Sequence, residues 1–291
     1  MTTVSAASPA RPVQGFLHRN VWARLTGLLA LPMAWLILLY LVPIVLLFVT
    51  AFWTTDSFTG KLQQTFTLEN FARVFDPGQP FLLTALRTLG VAAAVTLVSM
   101  VLAVPLSIFM ARVARPRWRP LLVALVITPL WASYLVKVYA WRTMLNPEGG
   151  FLESTAGWSP GYGWAAVVLV LTYLWLPYMV LPVYVGVQNI PPSLLDASSD
   201  LGARSWPTIR HVLLPIVKPS IIAGSVFTFS LSLGDYITVQ LVGGKAQMLG
   251  NVVYGTFTTD LPFAAAIASL TVLIMVGYLA AVSRSGALES L

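Results

Sequence analysis

Lys137 and Asp235 are the only ionisable residues well inside long apolar stretches of this 291-residue chain. A charge placed in hydrocarbon is costly and faces a bundle interior or a water-filled cavity. Two chemistries fit the pair. One is an internal ion pair, Asp235 with Lys137 or with Arg87, that holds helices together. The other is a route for a cation, lined by Asp235, Tyr236, Trp131, Tyr134, Lys137, Trp175 and Tyr178, because aromatic ring faces attract ammonium groups. A single acid cannot neutralise a multivalent cation, so a second chain would have to bring further acids. Catalytic chemistry is poorly supplied. There is no cysteine, and the two histidines, His18 and His211, lie outside the apolar runs. No pair of acids and no metal-ligand cluster falls within those runs. Gly243-Gly244-Lys245 lacks the spacing of a phosphate-binding loop. The residues therefore offer no catalytic group, no metal site and no cofactor site.

The elements that must position these residues are membrane helices. Charged residues make up 9% of the chain and hydrophobic ones 57%, against about 25% charged in a typical globular domain. A water-soluble fold cannot hide so much apolar surface. A helix crosses about 30 Å of hydrocarbon in about 20 residues. Six stretches of that kind occur, near 27–52, 84–111, 119–141, 164–187, 219–242 and 262–283. They are continuous apolar runs, unlike the ten-residue alternations of a membrane β-barrel. The predicted fold is all-α, a polytopic membrane protein of six transmembrane helices. The net charge of +7 is scattered between spans and forms no basic face for nucleic acid; membrane lipid is its expected environment.

Orientation follows from basic residues. With an inward N-terminus, Arg11, Arg19, Arg24, Arg112, Arg115, Arg117, Arg119, Arg204, Arg210, Lys218 and Arg284 lie on the cytoplasmic side. Only Lys61, Arg73, Arg142 and Lys245 lie outside. Both termini are expected in the cytoplasm. The first apolar run is too long for a secretory h-region and reads as an uncleaved span. Residues 1–26 read as a disordered tail, 27–80 as the first span with an outer loop, and 284–291 as a second cytoplasmic tail.

The segment 188–218 stands out as a long, moderately apolar cytoplasmic loop. Ile190-Pro191-Pro192 stops the fourth span. Ser193 and Asp196 have capping-box spacing. The short helix that follows ends at Gly202, a natural left-handed terminator, and Leu194, Ala197, Ser198 and Leu201 share one face. A second helix is predicted to open at Ser205-Trp206-Pro207 and to run to Leu214, before Pro215. A short helix with an apolar face packs on the bundle ends or docks into a groove of another protein.

Asp196-Ala197-Ser198, three residues, Gly202, nine residues, then Val212-x-Leu214-Pro215 resembles the "EAA" loop of bacterial ABC importer permeases. That family's pattern is Glu-Ala-Ala, three residues, Gly, nine residues, Ile-x-Leu-Pro. The departures are Asp for Glu, Ser for Ala and Val for Ile. Within the family, WASYLVKVYAW at 131–141, LGDYITVQLVGG at 233–244 and MLGN at 248–251 are similar to the first permease of the spermidine/putrescine type. Lys137 stands where that group has Arg. Val239 stands where it has Pro, which implies a less broken outer end of the fifth span.

The resemblance implies a type I transmembrane domain over 81–283, in a permease subunit of the bacterial inner membrane. It implies a second permease, two copies of a cytoplasmic ATPase, and a periplasmic or lipid-anchored binding protein. ATP would be hydrolysed by the partner. The helix 194–202 would be the ATPase-coupling helix, with Leu194, Asp196, Ala197, Ser198, Leu201, Gly202, Val212, Leu214 and Pro215 forming the coupling site. A polyamine is the solute implied. Alternatives are another solute, such as iron, sulfate or an amino-acid-like compound, or a self-sufficient secondary transporter. Scarce intramembrane charge and no visible inverted repeat argue against the last.

Overall fold

The structure, a computed structural model, describes residues 21–56 and 59–284, with side chains from residue 28 onward. The tail readings for residues 1–20 and 285–291, including Arg11, His18 and Arg19, lie outside the described residues. The chain divides after Thr50 into two compact units. The first holds helix α1, which begins as Val21–Leu36, passes through a π-helical turn at Ile37–Leu41 and continues as Val42–Thr50.

The second unit opens with a small hairpin, β1 (Thr54–Thr55) against β2 (Leu62–Gln63), in antiparallel register. Helix α2 (Glu69–Phe75) follows. Its Asn70 amide donates to the carbonyls of Ala51 and Trp53 at 3.0 and 2.8 Å. Helices α3 (Phe81–Val113), α4 (Pro116–Trp131), α5 (Tyr134–Met144), α6 (Phe151–Ala156) and α7 (Trp164–Gln188) come next. Then come α8 (Pro192–Asp200), α9 (Ser205–Leu233), α10 (Ile237–Val242), α11 (Leu249–Thr256) and α12 (Leu261–Arg284). Among the described residues, five helices are long and apolar enough to span a membrane, and the number is six when the bent pair α4–α5 is counted as one span. The all-α polytopic fold expected from composition is the fold found.

The centre of this unit is α3, α7 and α9. Hydrophobic packing alone does not draw helices together in lipid, so close approach and hydrogen bonds decide the contacts. A β-carbon on Gly224 of α9 would lie 2.7 Å from the Met179 sulfur and 3.1 Å from its Cα. One on Gly186 of α7 would lie 2.3 Å from the Ser220 hydroxyl oxygen. Both glycines are therefore required by the α7–α9 contact. Hydroxyls inside the helices donate to the preceding turn, as Thr228 does to Gly224 and Ser232 to Thr228, at 3.0 and 2.7 Å, which satisfies them without water. In α12, Ala264, Ala265 and Ala266 are buried inside the unit, so this small-residue face serves internal packing.

Three local expectations are corrected. The third span is two helices bent by 91° after Trp131, where Ala132 turns to an extended backbone with ψ 143°. Its apolar run is unbroken, so hydropathy hides the bend. The second helix of the loop does not stop before Pro215, because Ser205–Leu233 is one helix. A π-helical turn at Ile209–Leu213, closed by the Leu214 N–H on the Ile209 carbonyl, gives the chain the slack to carry a proline in the next turn. The fifth span also breaks at residues 234–236 before α10 resumes, even though Val239 is not proline.

Candidate functional site

The loop 188–218 folds as α8 and the start of α9. Pro192 occupies the first helical position, where its fixed φ is favourable and its missing N–H costs nothing. Helix α8 thus starts two residues earlier than Ser193-based capping requires. Pro191 precedes it with no side-chain cap, and the predicted capping box is not formed. The other end is as expected. Gly202 has φ +77°, its N–H donates to the Ser199 carbonyl at 2.8 Å, and the Ala203 N–H donates to Ser198 at 3.1 Å. This pair of bonds is a Schellman terminator.

The faces of α8 divide differently from the simple stripe. Ser198 is buried, sharing a hydroxyl–hydroxyl hydrogen bond of 2.9 Å with Thr208, and Leu195 packs into the core beside it. Leu194, Asp196 and Ala197 are exposed, and Leu201 is 89% exposed. Ser198 therefore fastens α8 to α9 while Leu194, Ala197 and Leu201 face outward. Val212 and Leu214 are part-exposed, Pro215 is exposed, and Leu213 between them is the buried anchor. Alternation of burial around a π-turn was not readable from helical spacing.

The second feature is a cavity of about 370 Å³ where α9 breaks, lined by Tyr134, Trp175, Ser230, Gly234, Asp235 and Tyr236, among others. Asp235, 7% exposed, sits at the break because its carboxylate caps the restarting helix. The Thr238 N–H donates to Oδ1 at 2.8 Å, and the Thr238 hydroxyl to Oδ2 at 3.2 Å. Tyr134, reaching across from α5, donates its phenol to Oδ2 at 2.6 Å. Tyr134 stacks on Trp175 at 6.0 Å, Trp175 meets Tyr178 at 6.0 Å, and Tyr236 stacks on Tyr254 at 4.9 Å. Asn251 fixes the Tyr236 carbonyl at 2.9 Å.

The expected ion pair is absent. Among the described residues, neither Lys137 nor Arg87 bridges an acid; the bridge found is Arg73 with Asp260 at 2.9 Å. The bend between α4 and α5 removes Lys137 from the depth a straight span would give it. Its ammonium instead donates to the Pro129 carbonyl at 3.1 Å, one of the carbonyls left open where α4 ends. Trp131 is 88% exposed, lies by the bend and does not line the cavity. Tyr178 stands behind Trp175 and does not line the cavity. Of the seven predicted path residues, Asp235, Tyr236, Tyr134 and Trp175 come together. Thr238, Ser230 and Tyr254 were missed; the Gly234-Asp235 pair followed by Thr238 carries the cap signal that marks the first of them.

Five or six apolar spans, a loop helix fastened to the bundle and a cavity at a helix break describe a multi-pass membrane protein. Residues 103–284 match the family described as binding-protein-dependent transport system inner membrane component, and the chain belongs to that family. It is 38% identical over 308 residues, covering 98% of both chains, to the inner membrane ABC transporter permease protein YdcU of Escherichia coli K12. It is 32% identical over 254 residues, 84% of this chain and 90% of the relative, to the spermidine/putrescine transport system permease protein PotB of the same organism. Its fold is similar to that in a crystal structure of a bacterial ABC transporter involved in the import of the acidic polysaccharide alginate. That match has a TM-score of 0.70 at 17% identity and covers 94% of this chain and 99% of the other. The chain is a permease subunit of an ABC importer, a transport component of the inner membrane whose ATP hydrolysis belongs to a separate subunit.

Proposed function

We propose that this permease forms half of a translocation path for a polyamine such as spermidine or putrescine. The observation that carries the reading is the Asp235 cavity: one buried carboxylate among Tyr134, Trp175 and Tyr236 inside a membrane span. Cationic amines suit a carboxylate framed by ring faces, and the likeness to PotB points the same way. A second permease completes the path and brings the further acids that a multivalent cation needs. Two copies of a cytoplasmic ATPase take the exposed Leu194–Ala197–Leu201 face of α8, with Asp196, Ser198, Gly202, Val212, Leu214 and Pro215 shaping the contact. A periplasmic or lipid-anchored binding protein delivers solute. The excess of basic residues in the segments holding Arg112, Arg115, Arg117, Arg119, Arg204 and Arg210 supports a reading with both termini in the cytoplasm.

The test is uptake of radiolabelled spermidine and putrescine by membranes holding the complete importer. Asp235→Asn keeps an acceptor for the Thr238 N–H and removes the charge. It should cut uptake at least tenfold while the protein inserts and assembles normally. Full uptake by correctly assembled Asp235→Asn protein would sink the path reading, and no uptake of either amine by the wild type would assign the permease to another solute.

A further inference from the structure

The last turn of helix α7 is only weakly satisfied by its own sequence. The carbonyl of Val187 would normally accept the N–H four residues on, but that residue is Pro191, which has none. The next residue, Pro192, is equally unable to donate. Locally the Val187 carbonyl accepts the Ile190 N–H in a long bond of 3.4 Å, and a stronger donor comes from another helix. The Arg112 guanidinium, on the π-helical turn that ends α3, donates through Nη2 to the Val187 carbonyl at 2.6 Å and to the Ile190 carbonyl. A cation is well placed at a helix C-terminus, where the dipole is negative, and charge-assisted bonds exceed neutral ones in strength. The Arg112 Nε is buried with no partner, so the side chain accepts a desolvation penalty to hold this position. Five residues earlier on α3, the Ser107 hydroxyl donates to the Val180 carbonyl of α7 at 3.2 Å. The two contacts zip the inner ends of α3 and α7 together. Helix α8 starts at Pro192, two residues beyond the Ile190 carbonyl that Arg112 holds.

We propose that Arg112 is a positioning residue that locks the inner end of α3 to the root of the coupling helix, so that α3 and α8 move as one body when the ATPase closes. The inference rests on the assignment of α8 as the coupling helix. A lock of this kind turns a push on a surface helix into displacement of a core membrane helix; without it α8 would pivot on its two prolines.

The chain has no cysteine, so spin labels can be placed cleanly at Arg115→Cys, in the turn after α3, and Ser193→Cys, in α8, both exposed sites. The distance between the labels is read in the importer purified with its ATPase, with and without ATP plus vanadate. The wild-type pair should give one distance distribution in both states. In Arg112→Met the distribution should shift and broaden with nucleotide, and in Arg112→Lys, which keeps one charged donor, it should shift less. Should the methionine variant fail to accumulate, the lysine variant carries the test alone. A nucleotide-dependent distance in the wild type, or unchanged distances in the folded variants, would overturn the lock; a purely structural cap would lower yield without making the distance respond to nucleotide. Absence of any ATPase from the wild-type complex would overturn the coupling-helix assignment and the lock with it. An ATPase present alongside unresponsive variants would sink the lock alone.

Discussion

Asp235 serves two ends with one side chain. Its Oδ1 restarts a helix, and its Oδ2 collects Tyr134 and Thr238 hydroxyls at the wall of a cavity. The two ends separate by substitution. Asparagine accepts the Thr238 N–H nearly as well as aspartate does at a helix start, whereas alanine or leucine at such a cap costs about 1 kcal/mol. Asp235→Leu is therefore expected to lose transport and to lower thermal stability in detergent, while Asp235→Asn loses transport at near wild-type stability. Equal loss of stability in both variants would show that the charge, and not the cap, holds the break together. Arg112 teaches a related lesson. In the sequence it is one of four arginines in a tight basic turn, and it counts only toward orientation. Its contact partners are 75 and 78 residues away, a separation no local pattern reports.

At the scale of elements, hydropathy located the candidate spans, because length and the absence of charge are properties of a run and not of its shape. The interruptions escaped for the same reason. Ala132 and Ser133 carry no turn signature, yet the chain bends there. Pro215, which carries a strong one, sits inside a continuous helix. Two prolines are paired with π-helical turns, Pro43 after Ile37–Leu41 and Pro215 after Ile209–Leu213, whereas Pro177 and Pro182 lie in α7 without one. Each turn widens the backbone where a proline removes a bond, so the helix bends without ending. The terminator of α8 was readable, because a left-handed residue after a short helix has a strong glycine preference. Space around Gly202 is open, so its requirement is conformational. Gly202→Ala should weaken the end of α8 by about 1 kcal/mol, and Gly202→Asn by less, since asparagine tolerates this conformation. Recovery of the ATPase with the tagged permease should fall in the order Gly, Asn, Ala; an alanine variant that retains wild-type recovery would place the docking determinant elsewhere.

At the scale of the whole molecule, the exposed apolar face of α8 and the solitary acid in the cavity both describe a part that works only in company. Tagged purification in mild detergent should bring down an ATPase chain and a second permease, and Gly202→Trp should lose the ATPase while keeping the other permease. The chain recovered alone, and active in liposomes without ATP, would make it a self-sufficient transporter. The bend between α4 and α5 carries a further consequence. The 13-residue α-helical stretch Arg119–Trp131 rises about 20 Å, against a hydrocarbon thickness near 30 Å, while its neighbour α3 is longer than the bilayer. Where α4 faces lipid, thinning of the bilayer would meet it, at a cost that grows with acyl-chain length. Transport in reconstituted vesicles should therefore be faster in lipids with short tails than in those with long ones, and equal rates in both would remove membrane thickness as a control on import.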